Sequence, residues 1–328
     1  MNKRATAFVL MALAAAPAAL LAQPKAKAPV VAVVWNAPLP AVQSLEEHML
    51  RGLRELGYGP GKTIVVEFRS SDGDAARLPA IVGDLVRRKV DVIVAPSNAV
   101  AKLAQGLTKT IPIVMVDVTH PVAAGLIESL EHPGGNITGT YTSEAALNAK
   151  RVELLRQLVP KLDQVTVFMT KGNSQAAFLR GDADVTERAL AVKVEIVEIE
   201  GPAEFDRATA AAAKRGADGI LLLPAGGEPL LFASRRQLIE AAAKRGLPVA
   251  GGPNAAAVGA VIGYGPRSEE HYYRSAAFID KILKGEKPGG IPVQQPTTFD
   301  LVVNRKAAGA LGLVVSPALL KHASKVIE

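Results

Sequence analysis

Few residues that carry reactive chemistry stand where they could work together. The five histidines, His48, His120, His132, His271 and His322, are scattered, and none falls in a His-Glu-x-x-His pair or another usual ligand spacing. There is no cysteine, which excludes disulfides, thiolate nucleophiles and thiolate metal ligands. No Gly-x-Ser-x-Gly elbow is present to expose a nucleophilic serine. Gly57-Tyr58-Gly59-Pro60-Gly61-Lys62-Thr63 looks like a phosphate loop, yet one residue too few separates its first glycine from the Gly-Lys pair. It also follows a helical pattern and precedes a strand, so it reads as a helix-to-strand turn. Asp117, His120 and Glu228 are the acid–base candidates for a catalytic cleft, but no motif draws them together. An enzyme is not expected, nor is a metal site or a cofactor.

What remains suits the holding of a small molecule. Polar or aromatic residues fall where apolar runs end: Trp35 and Asn36, Ser97 and Asn98, Asp117 and Thr119, Thr170 and Asn173, Gly226 and Glu228, Asn254, and Tyr264. Each also has a local reading. Ser97 and Thr170 could only cap helices, although a capped helix start also aims backbone N–H groups at an anion. Asp117 could brace a loop. Trp35 could be core, Tyr264 hinge packing and Glu228 a solvated loop acid.

The elements that must position these residues alternate strand and helix. Pro29–Trp35 reads as a buried strand, and Thr63–Arg69, Val90–Ala95 and Ile111–Val116 read as further strands. Between the first two, Val42, Leu45, Met49, Leu53 and Leu56 recur every three or four residues, one apolar helix face. The pattern restarts after about residue 143, with strands at Gln164–Met169, Lys193–Glu198, Gly219–Pro224 and Pro248–Gly251, and a helix over Leu230–Arg245. Continuous apolar runs suit strands of a parallel sheet covered by helices on both faces. Arg88-Lys89-Val90-Asp91 with its strand and Pro96 is echoed by Arg215-Gly216-Ala217-Asp218 with its strand and Pro224, which suggests a duplicated lobe. The chain is expected to cross between lobes after Pro133-Gly134-Gly135-Asn136 and again near Tyr264-Gly265-Pro266. Phe299–Asn304 reads as the last strand.

At the start, Lys3 and Arg4 precede an uncharged, alanine-rich run that ends near Ala22. That is the layout of a secretory signal peptide over residues 1–22. Without cysteine, a lipid anchor at the cleavage site is impossible. The formal net charge of +7 is spread over many short basic clusters interleaved with acids, so a nucleic-acid partner is not expected.

The order of motifs resembles the ABC transporter substrate-binding proteins of the tryptophan/tyrosine-type group. The residues that carry it are Gly52-Leu53-Arg54-Glu55-Leu56-Gly57-Tyr58 with Gly61-Lys62, Val90-Asp91-Val92-Ile93-Val94, Ile111-Pro112-Ile113-Val114, Pro133-Gly134-Gly135-Asn136-Ile137-Thr138-Gly139 and Arg151-Val152-Glu153-Leu154-Leu155. Later come Asp280-Lys281-Ile282-Leu283-Lys284-Gly285, Gln295-Pro296-Thr297 and Leu301-Val302-Val303-Asn304. The resemblance implies a type I periplasmic-binding-protein fold: two doubly wound parallel-sheet lobes joined by a three-crossing hinge. Lobe 1 is expected over 29–141 plus about 265–297, and lobe 2 over 142–264 plus about 298–328. It implies a monomeric, periplasmic subunit that binds a small amino-acid-like or carboxylate ligand between the lobes and passes it to an ABC permease in the inner membrane. A sensor subunit for a membrane receptor, or an exported α/β enzyme, are the other readings. Relatives often carry Gly-Asp before the proline matching Pro121, where this chain has Thr119-His120.

Overall fold

A computed structural model describes residues 27–173, 175–223 and 228–328. The signal peptide read at residues 1–22 and the candidate Gly226 lie outside the described residues. The first lobe begins with β1 (Val30–Trp35), α1 (Leu39–Glu55), β2 (Val65–Ser70), α2 (Leu78–Arg88), β3 (Val92–Ala95), α3 (Asn98–Leu107), β4 (Ile113–Thr119) and β5 (Ile137–Thr142). Its strands form one parallel sheet in the order β2-β1-β3-β4-β5. β1, β3 and most of β4 are buried along their length because helices cover both faces.

The second lobe follows with α4 (Glu144–Arg156), β6 (Gln164–Thr170), α5 (Ala176–Leu190), β7 (Lys193–Ile199), α6 (Phe205–Lys214), β8 (Gly219–Leu221), α7 (Pro229–Ala233), α8 (Arg235–Ala243), β9 (Val249–Gly251), α9 (Pro253–Ala256) and β10 (Ile262–Pro266). β7-β6-β8-β9-β10 repeats the strand order of lobe 1. The chain then returns to lobe 1 as α10 (Ser268–Leu283), whose Tyr272, Ala276, Phe278 and Ile279 join Met49 and Leu53 of α1 in one core cluster. An extended stretch runs beside β5, with Gln294 paired to Thr140. The chain ends in lobe 2 as β11 (Phe299–Asn304), α11 (Arg305–Ala310), α12 (Pro317–His322) and β12 (Lys325–Ile327).

Three features differ from the sequence reading. The lobe 2 sheet is not wholly parallel, because β10 and β11 run antiparallel; both are hinge strands, one leaving and one re-entering the lobe. Phe299–Asn304 is not the last strand, since Lys325–Ile327 adds a short parallel edge, too brief to show a period. The helix expected over Leu230–Arg245 is two helices broken at Ser234. Arg235 lies over the Phe232 ring and donates to the Phe232 carbonyl at 2.9 Å, satisfying a group the break leaves free.

The β4–β5 pair at the sheet edge leaves no room for a side chain at one position. Gly139 of β5 has φ +132°, and a Cβ there would sit 1.9 Å from the Met115 carbonyl oxygen. Gly139→Ala should therefore destabilise the protein by about 3 kcal/mol, read as a lowered urea midpoint. An unchanged midpoint would mean that the strand pair relaxes freely.

Candidate functional site

In sheets of this order, ligands bind beyond the carboxyl ends of the strands, where neighbouring connections part to opposite faces. Both lobes turn those ends toward one interlobe cleft, whose lining includes Thr119 and His120 from lobe 1 and Glu144, Asn148, Gln175 and Asp182 from lobe 2.

The lobe 1 wall is organised by reciprocal hydrogen bonds. Ser97 caps α3 by accepting from the Val100 N–H at 3.3 Å. Asn98 next to it donates to the Thr119 carbonyl at 2.6 Å and accepts from the Thr119 N–H at 2.9 Å. The ends of β3 and β4 are thus tied together, and Ser97, Asn98 and Thr119 form one wall. Asp117 lies on β4 two residues before Thr119. Asn36 is exposed and accepts from the Ser71 hydroxyl. Trp35 sits inside lobe 1, 5% exposed, its ring stacked on Tyr272 at 5.2 Å in the core cluster. The local reading holds for it.

On the lobe 2 side, Thr170, Asn173 and Glu228 come together. Glu228 is 1% exposed, so it is not a solvated loop acid. Its carboxylate accepts from the Thr170 N–H at 2.7 Å, the Thr170 hydroxyl at 3.0 Å and the Asn173 side-chain amide. Those donors satisfy the buried carboxylate and fix the turn after β6. Asn254 is exposed on α9. Tyr264 is half-buried in β10, with its ring stacked on Phe299 at 5.7 Å.

The sequence reading did not single out a buried polar group on α4. Glu144, Asn148 and Arg151 stand one and two turns apart on one face of α4. Arg151 is 2% exposed. It donates to Glu144 Oε2 at 2.9 Å, to Asn148 Oδ1 at 2.8 Å and, through Nε, to the Tyr264 carbonyl at 2.8 Å. Burial pushes the Glu144 carboxyl up, and Arg151 opposes that shift. The signal was available as a polar i, i+4, i+7 stripe on a helix that should be apolar on that face.

His120 spans the cleft. Its ring stacks on Phe178 of α5 with centroids 5.0 Å apart, and Nε2 lies 3.2 Å from Asp182 Oδ2. The hydrogen bond to Asp182 holds the imidazole above its ordinary range, against the opposing effect of burial. Asp117, His120 and Glu228 do not converge as an acid–base set: Glu228 is spent on Thr170 and Asn173, and His120 on Asp182. Among the described residues no cluster of three or more side chains could hold a metal ion, and no helix is long and apolar enough to cross a membrane.

Two lobes of repeated topology, hinged and facing each other across a polar cleft, define a type I periplasmic-binding-protein fold. The model of the family "ABC transporter substrate binding protein" matches residues 30–327, and the chain belongs to that family, one of solute binders. A tyrosine-binding protein of Clostridioides difficile (strain R20291) is 28% identical over 277 residues, covering 84% of this chain and 78% of that protein. The structure of a conserved domain protein from Vibrio cholerae matches with a TM-score of 0.80 and 28% identity, over 92% of this chain and 100% of that one. An ABC domain from Streptococcus pneumoniae in complex with L-Trp shares the fold at a TM-score of 0.79 and 23% identity, over 92% and 100% of the two chains.

Two predictions follow from the charges. Arg151→Met leaves Glu144 buried without its partner and should cost about 3–5 kcal/mol in urea denaturation; a loss under about 1 kcal/mol would be the behaviour of a solvated surface pair. The His120–Asp182 contact contributes fully below the ordinary imidazole pKa of about 6.5 and is lost as pH rises through the raised value of His120. Small-angle scattering should show the wild type opening as pH goes from about 6 to about 9, with Asp182→Asn flattening the response. Equal profiles for the two proteins would remove the proton linkage.

Proposed function

We propose that the protein is the exported solute-binding subunit of an ABC importer and holds an amino-acid-like ligand between its lobes. The observation that carries this is the cleft itself, where Thr119 and His120 at the end of β4 stand opposite Glu144 and Asn148 of α4 and Asp182 of α5. Closure of such lobes around a solute is a hinge motion. The relatives support an aromatic amino acid, since one is described as a tyrosine-binding protein and another was solved with L-Trp. Phe178 supplies a flat ring on the lobe 2 side, already stacked on His120, against which a phenol or indole could lie. In this reading the ligand contacts come from Ser97, Asn98, Asp117 and Thr119. Trp35 and Glu228 support the walls from behind. The subunit acts in the periplasm as a monomer and docks on an inner-membrane permease.

Titration calorimetry and thermal shift on residues 23–328, against L-tyrosine, L-tryptophan, other amino acids, small carboxylates and sugars, tests this. Saturable heat without turnover is expected for an aromatic amino acid. At a ligand concentration of about 100 times Kd the folded state should gain about 2.7 kcal/mol. Silence for every amino acid in both measurements, or conversion of a bound solute to product, overturns the reading.

A further inference from the structure

The end of β4 is built irregularly around Asp117. Met115 pairs with Gly139 and Val118 with Tyr141, so Val116 and Asp117 together oppose Thr140. Such a bulge re-aims a side chain. Asp117 also takes a left-handed backbone, φ +55°, a conformation disfavoured for residues with a Cβ and kept where the surroundings enforce it. The enforcement is visible. The Asp117 N–H donates to Thr140 Oγ1 at 3.1 Å, and the Thr142 hydroxyl donates to Asp117 Oδ1.

Behind the carboxylate lies His271, 2% exposed. Its Nδ1 is 3.0 Å from Thr140 Oγ1, and its Nε2 has no hydrogen bond but lies 3.7 Å from Asp117 Oδ1. In the tautomer that accepts the Thr140 hydroxyl at Nδ1, the Nε2 proton is aimed at the carboxylate. Burial pushes the His271 imidazole down, so the ring behind Asp117 is neutral and supplies a dipole rather than a charge.

The Asp117 side chain is 35% exposed, and its charge acts on Glu144 of the other lobe. The other two cleft carboxylates are each matched, Glu144 by Arg151 at 2.9 Å and Asp182 by His120 at 3.2 Å. Among the described residues no lysine or arginine pairs with Asp117. A carboxylate braced by hydroxyl and imidazole from inside, and left without a cation on the side of the cleft, is completed by a cationic group of the ligand.

We infer that Asp117, braced by Thr142 and His271, is the anchor for the protonated amino group of the ligand and makes the cleft selective for solutes that carry one. This rests on the reading of the protein as an amino-acid binder; it adds which group of the ligand is recognised and by which residue. Asp117, the carboxylate left unmatched, disfavours a solute that offers only a carboxylate.

The test compares three probe classes by titration calorimetry: L-tyrosine and L-tryptophan; tyramine and tryptamine, which lack the carboxylate; and 3-(4-hydroxyphenyl)propionate and indole-3-propionate, which lack the amine. The wild type should bind an amino acid at least about 30-fold more tightly than its des-amino analogue. Asp117→Asn and Asp117→Gly should each weaken amino-acid binding by a similar factor and erase the preference over the des-amino analogue. The glycine variant suits the left-handed backbone, so a binding loss there is not a folding loss. If the wild type binds amino acids but takes the des-amino acids within about threefold, the inference falls and the binding function stands. The same holds if both variants bind amino acids like the wild type. If no amino acid binds the wild type at all, the binding reading itself fails and takes this inference with it.

Discussion

The buried guanidinium of Arg151 is the constraint around which the hinge side of lobe 2 is built. A planar cation almost without exposure must find all its partners at once. Here they come from its own helix, Glu144 and Asn148, and from the backbone of β10 at Tyr264. α4 follows the first crossing and β10 precedes the second. One side chain therefore locks the two segments through which the lobes are joined. It also dictates its neighbours. A Cβ on Gly265 would lie 3.0 Å from Pro253 and 3.4 Å from the guanidinium, so a side chain there would have to push these neighbours aside. With that side rigid, lobe motion has to be taken up in the short connecting stretches around Ser143, Arg267 and Pro296.

The charge pattern of the cleft is a consequence. Arg151 neutralises Glu144 at the mouth of α4, and His120 answers Asp182 across the gap. What is left over is decided by pairing rather than by the number of acids. Thr119-His120 before Pro121 falls at this point: it places an imidazole where it reaches the opposite lobe.

Much of the fold was legible in the sequence because it rests on local signals. The apolar runs of β1, β3, β4 and β6 and the three-to-four spacing on α1 mark covered strands and an amphipathic helix without any long-range information. The strand-end polar residues were also in the right neighbourhoods, since topology alone puts strand ends together. What those side chains do there was not legible. Glu228 meets partners 58 and 55 positions away, and His120 meets Asp182 after 62, so no local pattern announces either contact. Trp35 ends a buried strand, and whether its ring turns to the core or to the cleft depends on Tyr272, a residue of a helix that returns from the other lobe. The bulge at Asp117 depends on the register of β4 against β5, which sequence spacing does not encode.

The return of α10 to lobe 1 has a consequence for how the chain is made. The core that Val31, Val33, Met49 and Leu53 share with Tyr272, Phe278, Ile279 and Ile291 stays open until synthesis has passed residue 291. Neither lobe is continuous in sequence, since β10 waits for β11 at residues 299–304. A growing chain of this topology cannot finish its first half early, as consecutively encoded domains do during synthesis. Its long-range pairings postpone collapse into the native state. Both lobes thus complete their packing only when nearly all of the polypeptide exists.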